Sequence, residues 1–86
     1  MFELVFRESF KKSFNKLESF IQTQVKKKIL ELKTNQFLGK KLVGHNYWSI
    51  HIGQFRVIYE IHSNEQKIEL IEILKRKHDY RELKKI

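Results

Sequence analysis

The sequence predicts one α+β domain, residues 1–86, in which an antiparallel meander sheet packs on an N-terminal helical hairpin. Apolar residues recur at helical spacing through the first part of the chain. In the second part they alternate with polar residues in runs that tight turns separate. A chain of 86 residues has room for a single hydrophobic core, which favours one domain.

A short strand and two helices are predicted first. Apolar and polar residues alternate over 2–6, which indicates a strand with one buried face. Helical spacing then continues to Leu32, with no proline or glycine to interrupt it. The polar segment QTQ at 22–24 is the candidate break and predicts helices over roughly 8–21 and 24–34. One long bent helix is the alternative.

Three strands joined by two turns follow a connecting segment at 35–46 that holds two of the three glycines. Gly53-Gln54 predicts a type II′ turn, and 63–66 predicts a second turn. The charged tail KRKHDYRELKKI predicts a short C-terminal helix of marginal stability, because Leu83 and Ile86 are its only aliphatic residues. The three predicted strands are 47–52, 55–62 and 67–74.

The charge balance favours an anionic partner. Eighteen Lys and Arg residues stand against ten Asp and Glu residues, a formal net charge of +8 at pH 7. Such a surface attracts nucleic acid, an anionic membrane face or an acidic protein. Most helical lysines lie off the apolar stripe, where they form a solvated face first and a ligand patch second.

Composition and residue spacing argue against several classes of protein. The absence of cysteine excludes disulfides and thiolate metal sites and is compatible with a reducing cytoplasm. No run approaches the roughly 20 apolar residues of a membrane span, and no secretory signal is evident. The four histidines lie at no recognised metal-ligand spacing, and no glycine-rich phosphate loop occurs, so we expect no cofactor. We expect Glu60, Glu69 and Glu72 to be exposed strand residues paired with lysines.

The remaining candidate site is basic and aromatic. Arg56 lies on a predicted inner strand, Arg76 follows the last strand, and Tyr80 comes four residues later. Guanidinium groups bind phosphate oxygens in a bidentate manner, and a phenol donates a proton or stacks on a base. The alternatives are an Arg56 paired with Glu60 or Glu69, a solvated Arg76, and a Tyr80 ring packed on the sheet.

Four segments resemble the toxins of the RelE/ParE superfamily, with the RelE branch and its archaeal members most similar. Their order and spacing carry the resemblance, which spans nearly the whole chain. The segments are Leu42-Val43-Gly44, Trp48-Ser49-Ile50-His51-Ile52, Phe55-Arg56-Val57-Ile58-Tyr59 and the stretch from Arg76 to Tyr80.

The resemblance implies a ribosome-dependent endoribonuclease that cuts mRNA in the ribosomal A site and so inhibits translation. The RNA 2′-hydroxyl would attack the adjacent phosphate and leave a cyclic phosphate and a 5′-hydroxyl. Arg56 and Arg76 would stabilise the transition-state charge, and Tyr80 would stack or transfer a proton. An acidic RelB-like antitoxin would hold the toxin inactive, by family analogy in a heterotetramer.

The sequence departs from the RelE pattern at the strand before the hairpin. RelE members carry two lysines where Ser49 and His51 stand here, and a basic residue where Val43 stands. His51 is the candidate replacement because imidazole titrates near neutrality; His78 is a second candidate. The residues expected to bind RNA are Lys40, Lys41, Lys75, Lys77 and His78.

Two other functions fit the sequence. A ParE-like toxin would inhibit DNA gyrase by protein contact, without RNA cleavage, and the missing strand lysines favour it. A basic RNA-binding module would lose affinity evenly as lysines are removed, whereas a nuclease has a few indispensable positions.

Overall fold

A computed structural model of the chain describes residues 1–75. The predicted C-terminal helix lies outside the described residues. A short 3₁₀ turn at Ser63–Glu65 connects the last two strands. The remaining elements, in chain order, are β1 (Glu3–Phe6), α1 (Glu8–Asn15), α2 (Ser19–Glu31), β2 (Lys40–Lys41), β3 (Tyr47–Ile52), β4 (Phe55–His62) and β5 (Lys67–Lys75).

The helical hairpin is confirmed, but the predicted break at 22–24 is wrong. The chain turns between Asn15 and Ser19, and the QTQ segment lies inside α2. A hydrogen bond made by the Gln22 side chain accounts for a polar residue at this place in the helix. The side-chain amide donates to the carbonyl oxygen of Phe14 at 2.9 Å, near the end of α1, where that oxygen also accepts a hydrogen bond from the Leu17 N–H at 3.1 Å. The polar segment therefore joins the two helices instead of ending one.

The sheet has the strand order β1-β5-β4-β3-β2. Strands β3, β4 and β5 form the predicted antiparallel meander, and the connecting segment adds the two-residue strand β2. The sheet is mixed, however, because β1 pairs parallel with β5, with Glu3 opposite Lys67. Parallel neighbours need a long connection between them, and all the other elements lie between β1 and β5 in the chain.

The main core lies between the hairpin and one face of the sheet. Phe10, Val25, Ile29 and Leu32 of the hairpin region are buried against the strands. The sheet contributes the buried side chains Ile50, Ile52, Val57, Tyr59, Ile68, Leu70 and Ile73. This packing gives the two-layer architecture that the sequence predicts.

The other face of the sheet is less polar than the sequence predicts. A second cluster of buried side chains lies there: Leu42, Ile58, Ile71 and Leu74. Ile71 reaches this face through an irregularity in the register, since Ile58 lies opposite Glu72 but Tyr59 lies opposite Leu70. One extra residue in β5 is thereby inserted between the two pairs, as in a β-bulge. Polar residues occupy the two ends of this face.

Within the described residues, no helix has the length and apolar character needed to span a membrane.

Candidate functional site

The β3–β4 hairpin places His51 and Arg56 directly opposite each other. The turn between the strands has Gly53 at φ 59°, and Gln66 is the only non-glycine residue of 1–75 with positive φ. A positive φ at the first turn position and not at the second is the type II′ pattern that the sequence predicts. Directly opposite residues in such a pair have Cβ atoms about 4.5–5.5 Å apart. An imidazole and a guanidinium are therefore held side by side.

Both side chains lie on the sheet face opposite the helices. Their strand neighbours Ile50 and Val57 are buried in the main core, and successive residues in a strand point to opposite faces. His51 is exposed, whereas Arg56 is partly buried, with Nε and Nη1 shielded from solvent. A cationic group with restricted access to water interacts more strongly with an approaching anion. The pair combines a group that can transfer a proton with a fixed positive charge.

Lys40 belongs to the same face. It lies opposite Ser49 in the register of β2 and β3. Ser49 is only 4% exposed and its hydroxyl is shielded, so it is poorly placed to contact a substrate. Beside it a groove of about 340 Å³ is lined by Lys28, Leu38, Gly39, Lys40, Ser49, Ile50 and His51. Two lysines and an imidazole at one groove favour an anionic ligand.

The wall of this groove depends on a buried tyrosine. The Tyr59 hydroxyl accepts a hydrogen bond from the Gly39 N–H at 3.1 Å and donates one to the Gln36 carbonyl at 3.0 Å. Burial raises the pKa of the Tyr59 phenol, so it stays protonated and keeps both bonds at neutral pH. A Cβ at Gly39 would lie 2.5 Å from the Ser49 carbonyl oxygen, so the approach requires glycine. The loop before β2 is thus fixed to β4.

Only some of the other predicted site residues lie on the sheet face that carries His51 and Arg56. Lys41 lies opposite Trp48 and Lys75 lies opposite Phe55, and both aromatic rings pack against the main core. Of the three described lysines in the predicted set, Lys40 alone shares a face with Arg56. The remaining predicted residues lie outside the described part of the chain and stay predictions: Arg76, Lys77, His78 and Tyr80.

A second polar group at the opposite end of this face was missed. Arg7 Nε donates to Glu69 Oε2 at 2.8 Å, and His62 Nε2 lies 3.0 Å from Glu69 Oε1 and 3.9 Å from Glu60 Oε1. The expectation of exposed glutamates paired with lysines is therefore wrong for Glu60 and Glu69, which are partly buried. Their partners are Arg7, which directly follows β1, and His62, which lies in β4. Only the parallel pairing of β1 with β5 brings Arg7 to Glu69, and no local pattern encodes that pairing.

The Arg7–Glu69 pair predicts a pH-dependent stability. The hydrogen bond from Arg7 lowers the pKa of the Glu69 carboxyl against an opposing effect of burial. A carboxyl group whose pKa is lower in the folded state than in the unfolded state stabilises the fold at pH values above the unfolded-state pKa. This stabilisation is lost as the pH falls through the folded-state pKa. We expect Arg7→Ala to cost about 0.5 kcal/mol at pH 7, a small value because the Arg7 side chain is 38% exposed.

Urea denaturation at pH 7 and at about pH 3 measures this difference, which should shrink at the lower pH as Glu69 becomes protonated. Lys12→Ala is the matched control, since Lys12 is an exposed cation on α1. The same Arg7→Ala deficit at both pH values would contradict the assignment.

Comparison with solved structures defines the class of the fold. The isolated RelE toxin of E. coli superimposes with a TM-score of 0.79 and 26% identity, covering 99% of this chain and 97% of that chain. RelB–RelE of Methanococcus jannaschii, an antitoxin–toxin complex, gives a TM-score of 0.72 and 28% identity over 88% of this chain and 94% of that one. The intact E. coli RelBE toxin–antitoxin complex superimposes with a TM-score of 0.79 and 25% identity, covering 87% of this chain and 96% of that chain. The fold is that of the RelE toxins.

The family follows from the sequence. The family model described as the ParE toxin of the type II toxin–antitoxin system parDE matches residues 4–80. The chain therefore belongs to this toxin family, within the RelE/ParE superfamily. A comparison with curated protein sequences gives no match. The resemblance drawn from the sequence is confirmed at the level of superfamily and fold.

Proposed function

We propose that this type II toxin is a ribosome-dependent endoribonuclease that cleaves mRNA in the A site. The observation that carries the proposal is the His51–Arg56 pair on the sheet face away from the helices. It supplies a proton-transfer group beside a permanent cation, next to a groove with two lysines. This combination suits attack within a phosphodiester, where charge develops on phosphate oxygens. Action on the ribosome would place the protein in the cytoplasm.

In the proposed reaction His51 acts as general base. It removes the proton from an RNA 2′-hydroxyl, whose oxygen forms a bond to the adjacent phosphorus. The bond from phosphorus to the 5′-oxygen breaks, and that oxygen takes a proton, leaving a 2′,3′-cyclic phosphate and a 5′-hydroxyl. Arg56 binds the phosphate oxygens as negative charge accumulates. We assign a second positive charge to Arg76, and stacking or protonation of the leaving oxygen to Tyr80.

The basic residues around the pair would hold RNA. Lys40 and Lys28 line the groove beside His51, which supports their contact with the phosphates that flank the cleaved bond. Lys41 and Lys75 lie on the helix side of the sheet by register. There they would contact ribosomal RNA while the opposite face engages mRNA. Lys77 and His78 remain part of the proposed RNA-binding set.

The proposed inhibitor is an acidic RelB-like antitoxin, which would assemble with the toxin as a heterotetramer. The net charge of +8 favours an acidic partner. Several large apolar side chains are also exposed, including Phe20 at 69% and Phe37 at 59%. A segment that combined acidic and apolar residues would cover both kinds of surface. The RelE structures cited above include complexes with RelB.

Primer extension on a reporter mRNA tests the nuclease proposal. The mRNA is incubated with the toxin in a translating extract, and in parallel as naked RNA. We expect cuts within codons of the translated frame, and none without ribosomes. Ribosome-independent cuts would overturn the A-site mechanism, and intact mRNA in a translating extract would overturn the nuclease.

Inhibition of DNA gyrase is the second candidate. Two observations favour it: the matching family model is that of ParE, and a buried Ser49 stands where the RelE pattern has a lysine. A supercoiling assay with purified gyrase separates the two functions. Inhibition of supercoiling together with intact mRNA would favour this candidate.

A further inference from the structure

We propose that Glu60, His62 and Glu69 form a binding site for one zinc ion. The three residues lie on the central strands β4 and β5, on the face away from the helices. Each offers one ligand atom, and these atoms all lie within 4.8 Å of one another. The site's two ligands on β4 lie four and six residues from Arg56, about 13–20 Å at the rise of a strand. The inference is therefore independent of the proposed nuclease.

The spacing of the three ligand atoms suits a tetrahedral ion. Zinc binds imidazole nitrogen and carboxylate oxygen at about 2.0–2.2 Å, so two ligand atoms of a tetrahedral site lie about 3.3–3.6 Å apart. Here His62 Nε2 lies 3.0 Å from Glu69 Oε1 and 3.9 Å from Glu60 Oε1. Small side-chain rotations bring these distances to the tetrahedral value without movement of the strands. A fourth position remains for water or another ligand.

The electrostatics of the cluster favour a cation between its members. Glu60 and Glu69 lie directly opposite each other on neighbouring strands, where like charges are destabilising. Arg7 binds Oε2 of Glu69 and leaves Oε1 directed at His62. Within residues 1–75, the only ion-pair contact of the Glu60 carboxylate is the one to His62 at 3.9 Å. A divalent ion would neutralise both carboxylates with His62 in its neutral form.

The surroundings select the kind of ion and its affinity. An imidazole nitrogen suits zinc and other transition ions, whereas magnesium and calcium prefer ligand sets made of oxygen. Arg7 would act as an outer partner that orients the Glu69 carboxylate, as outer hydrogen bonds do at metal sites. Its charge and that of Lys67, which lies opposite His62, would weaken binding. We expect a dissociation constant on the order of 1–10 μM, far weaker than a closed structural site.

Binding of the ion would connect three strands of the sheet. The ion would join β4 to β5, and Arg7, directly after β1, would connect that edge strand to the same site through Glu69. An ion that binds the folded chain alone raises its thermal stability. At about ten times the dissociation constant we expect the melting temperature to rise by roughly 5–10 °C.

Untagged full-length protein provides the test, because a histidine tag would itself bind the ion. Zinc is titrated by calorimetry, and cobalt is used as a visible probe of the coordination geometry. Thermal melts are recorded with and without zinc. We expect one ion per chain, a tetrahedral cobalt spectrum and the rise in melting temperature. Both His62→Ala and Glu60→Gln should weaken binding at least tenfold.

His51→Ala is the matched control, since it also removes one imidazole from the same sheet face, about 13–20 Å from the members of the cluster on β4. It should bind zinc as the wild type does. Glu60→Gln keeps the shape of the side chain, so it reports on the site even where His62→Ala unfolds the protein. No binding up to about 1 mM zinc, wild-type binding in Glu60→Gln, or loss of binding in His51→Ala would each overturn the proposal.

Discussion

Arg56→Ala is expected to lower ribosome-dependent mRNA cleavage by about 100- to 1,000-fold, the usual loss when one preorganised charge-stabilising donor is removed. Arg56 lies opposite His51, with Nε and Nη1 shielded from solvent. A guanidinium held in this way does not reorganise as charge develops on the phosphate, and no other residue of the hairpin carries a permanent positive charge. The rate is measured as the appearance of primer-extension stops over time in a translating extract.

Lys67→Ala is the matched control for this variant. It removes the same unit of charge from the same face of the sheet, at the far end of β5, and should cleave within a factor of about two of the wild type. Arg56→Lys should recover only part of the activity, because an ammonium keeps the charge but is more strongly hydrated and lacks the rigid plane of the guanidinium. Thermal melts confirm that each variant folds. A folded Arg56→Ala that cleaves at the wild-type rate would remove Arg56 from the site.

The hairpin that carries the site was predictable because its signals are local. Alternating apolar residues on two runs and a glycine at the turn are sufficient to set the register of β3 and β4. That register places His51 opposite Arg56. The face that the pair occupies follows from the same alternation, since Ile50 and Val57 must be buried. A proton-transfer group and a cation could thus be placed together without knowledge of the remaining fold.

The features that sequence analysis missed depend on contacts between distant segments. Gln22 belongs to the polar segment that was expected to break the helix, but its amide donates a hydrogen bond to a carbonyl of the preceding helix. Ile71 enters the second apolar cluster through a register irregularity that strand alternation does not encode. Arg7 meets Glu69 only because β1 pairs parallel with the last strand. In each case a long-range partner overrides a local preference.

The same limit explains why one end of the sheet face away from the helices was harder to predict than the other. The end with His51 and Arg56 is built from one hairpin, whose strands and turn were predicted. The cluster of Glu60, His62 and Glu69 combines two strands with a residue that follows a third, so spacing along the chain does not show it. Metal-ligand spacing rules assume ligands on one helix or loop, and cross-strand ligands escape them. A search for such sites therefore requires the sheet register.

His51→Ala is expected to lower cleavage by about 100- to 10,000-fold, the range for loss of a positioned general base. The informative variant is His51→Lys, because the RelE pattern carries a lysine at this position. An amine has an ordinary pKa near 10.4 against about 6.5 for imidazole, so it is a base only at higher pH. His51→Lys should therefore regain activity as the pH rises, with its rate profile displaced to higher pH than that of the wild type. Rates are measured by primer extension between about pH 6 and pH 9.

The profile separates a chemical role of His51 from a structural one. A histidine that only packed against Arg56 would give one constant deficit in His51→Lys at every pH, since no proton on residue 51 would then take part in the reaction. A displaced profile requires that the residue at position 51 lose a proton before the reaction. Should His51→Ala cleave at the wild-type rate while Arg76→Ala abolishes cleavage, the base is not His51. The search would then move to the C-terminal segment, where His78 and Tyr80 are the remaining proton-transfer candidates.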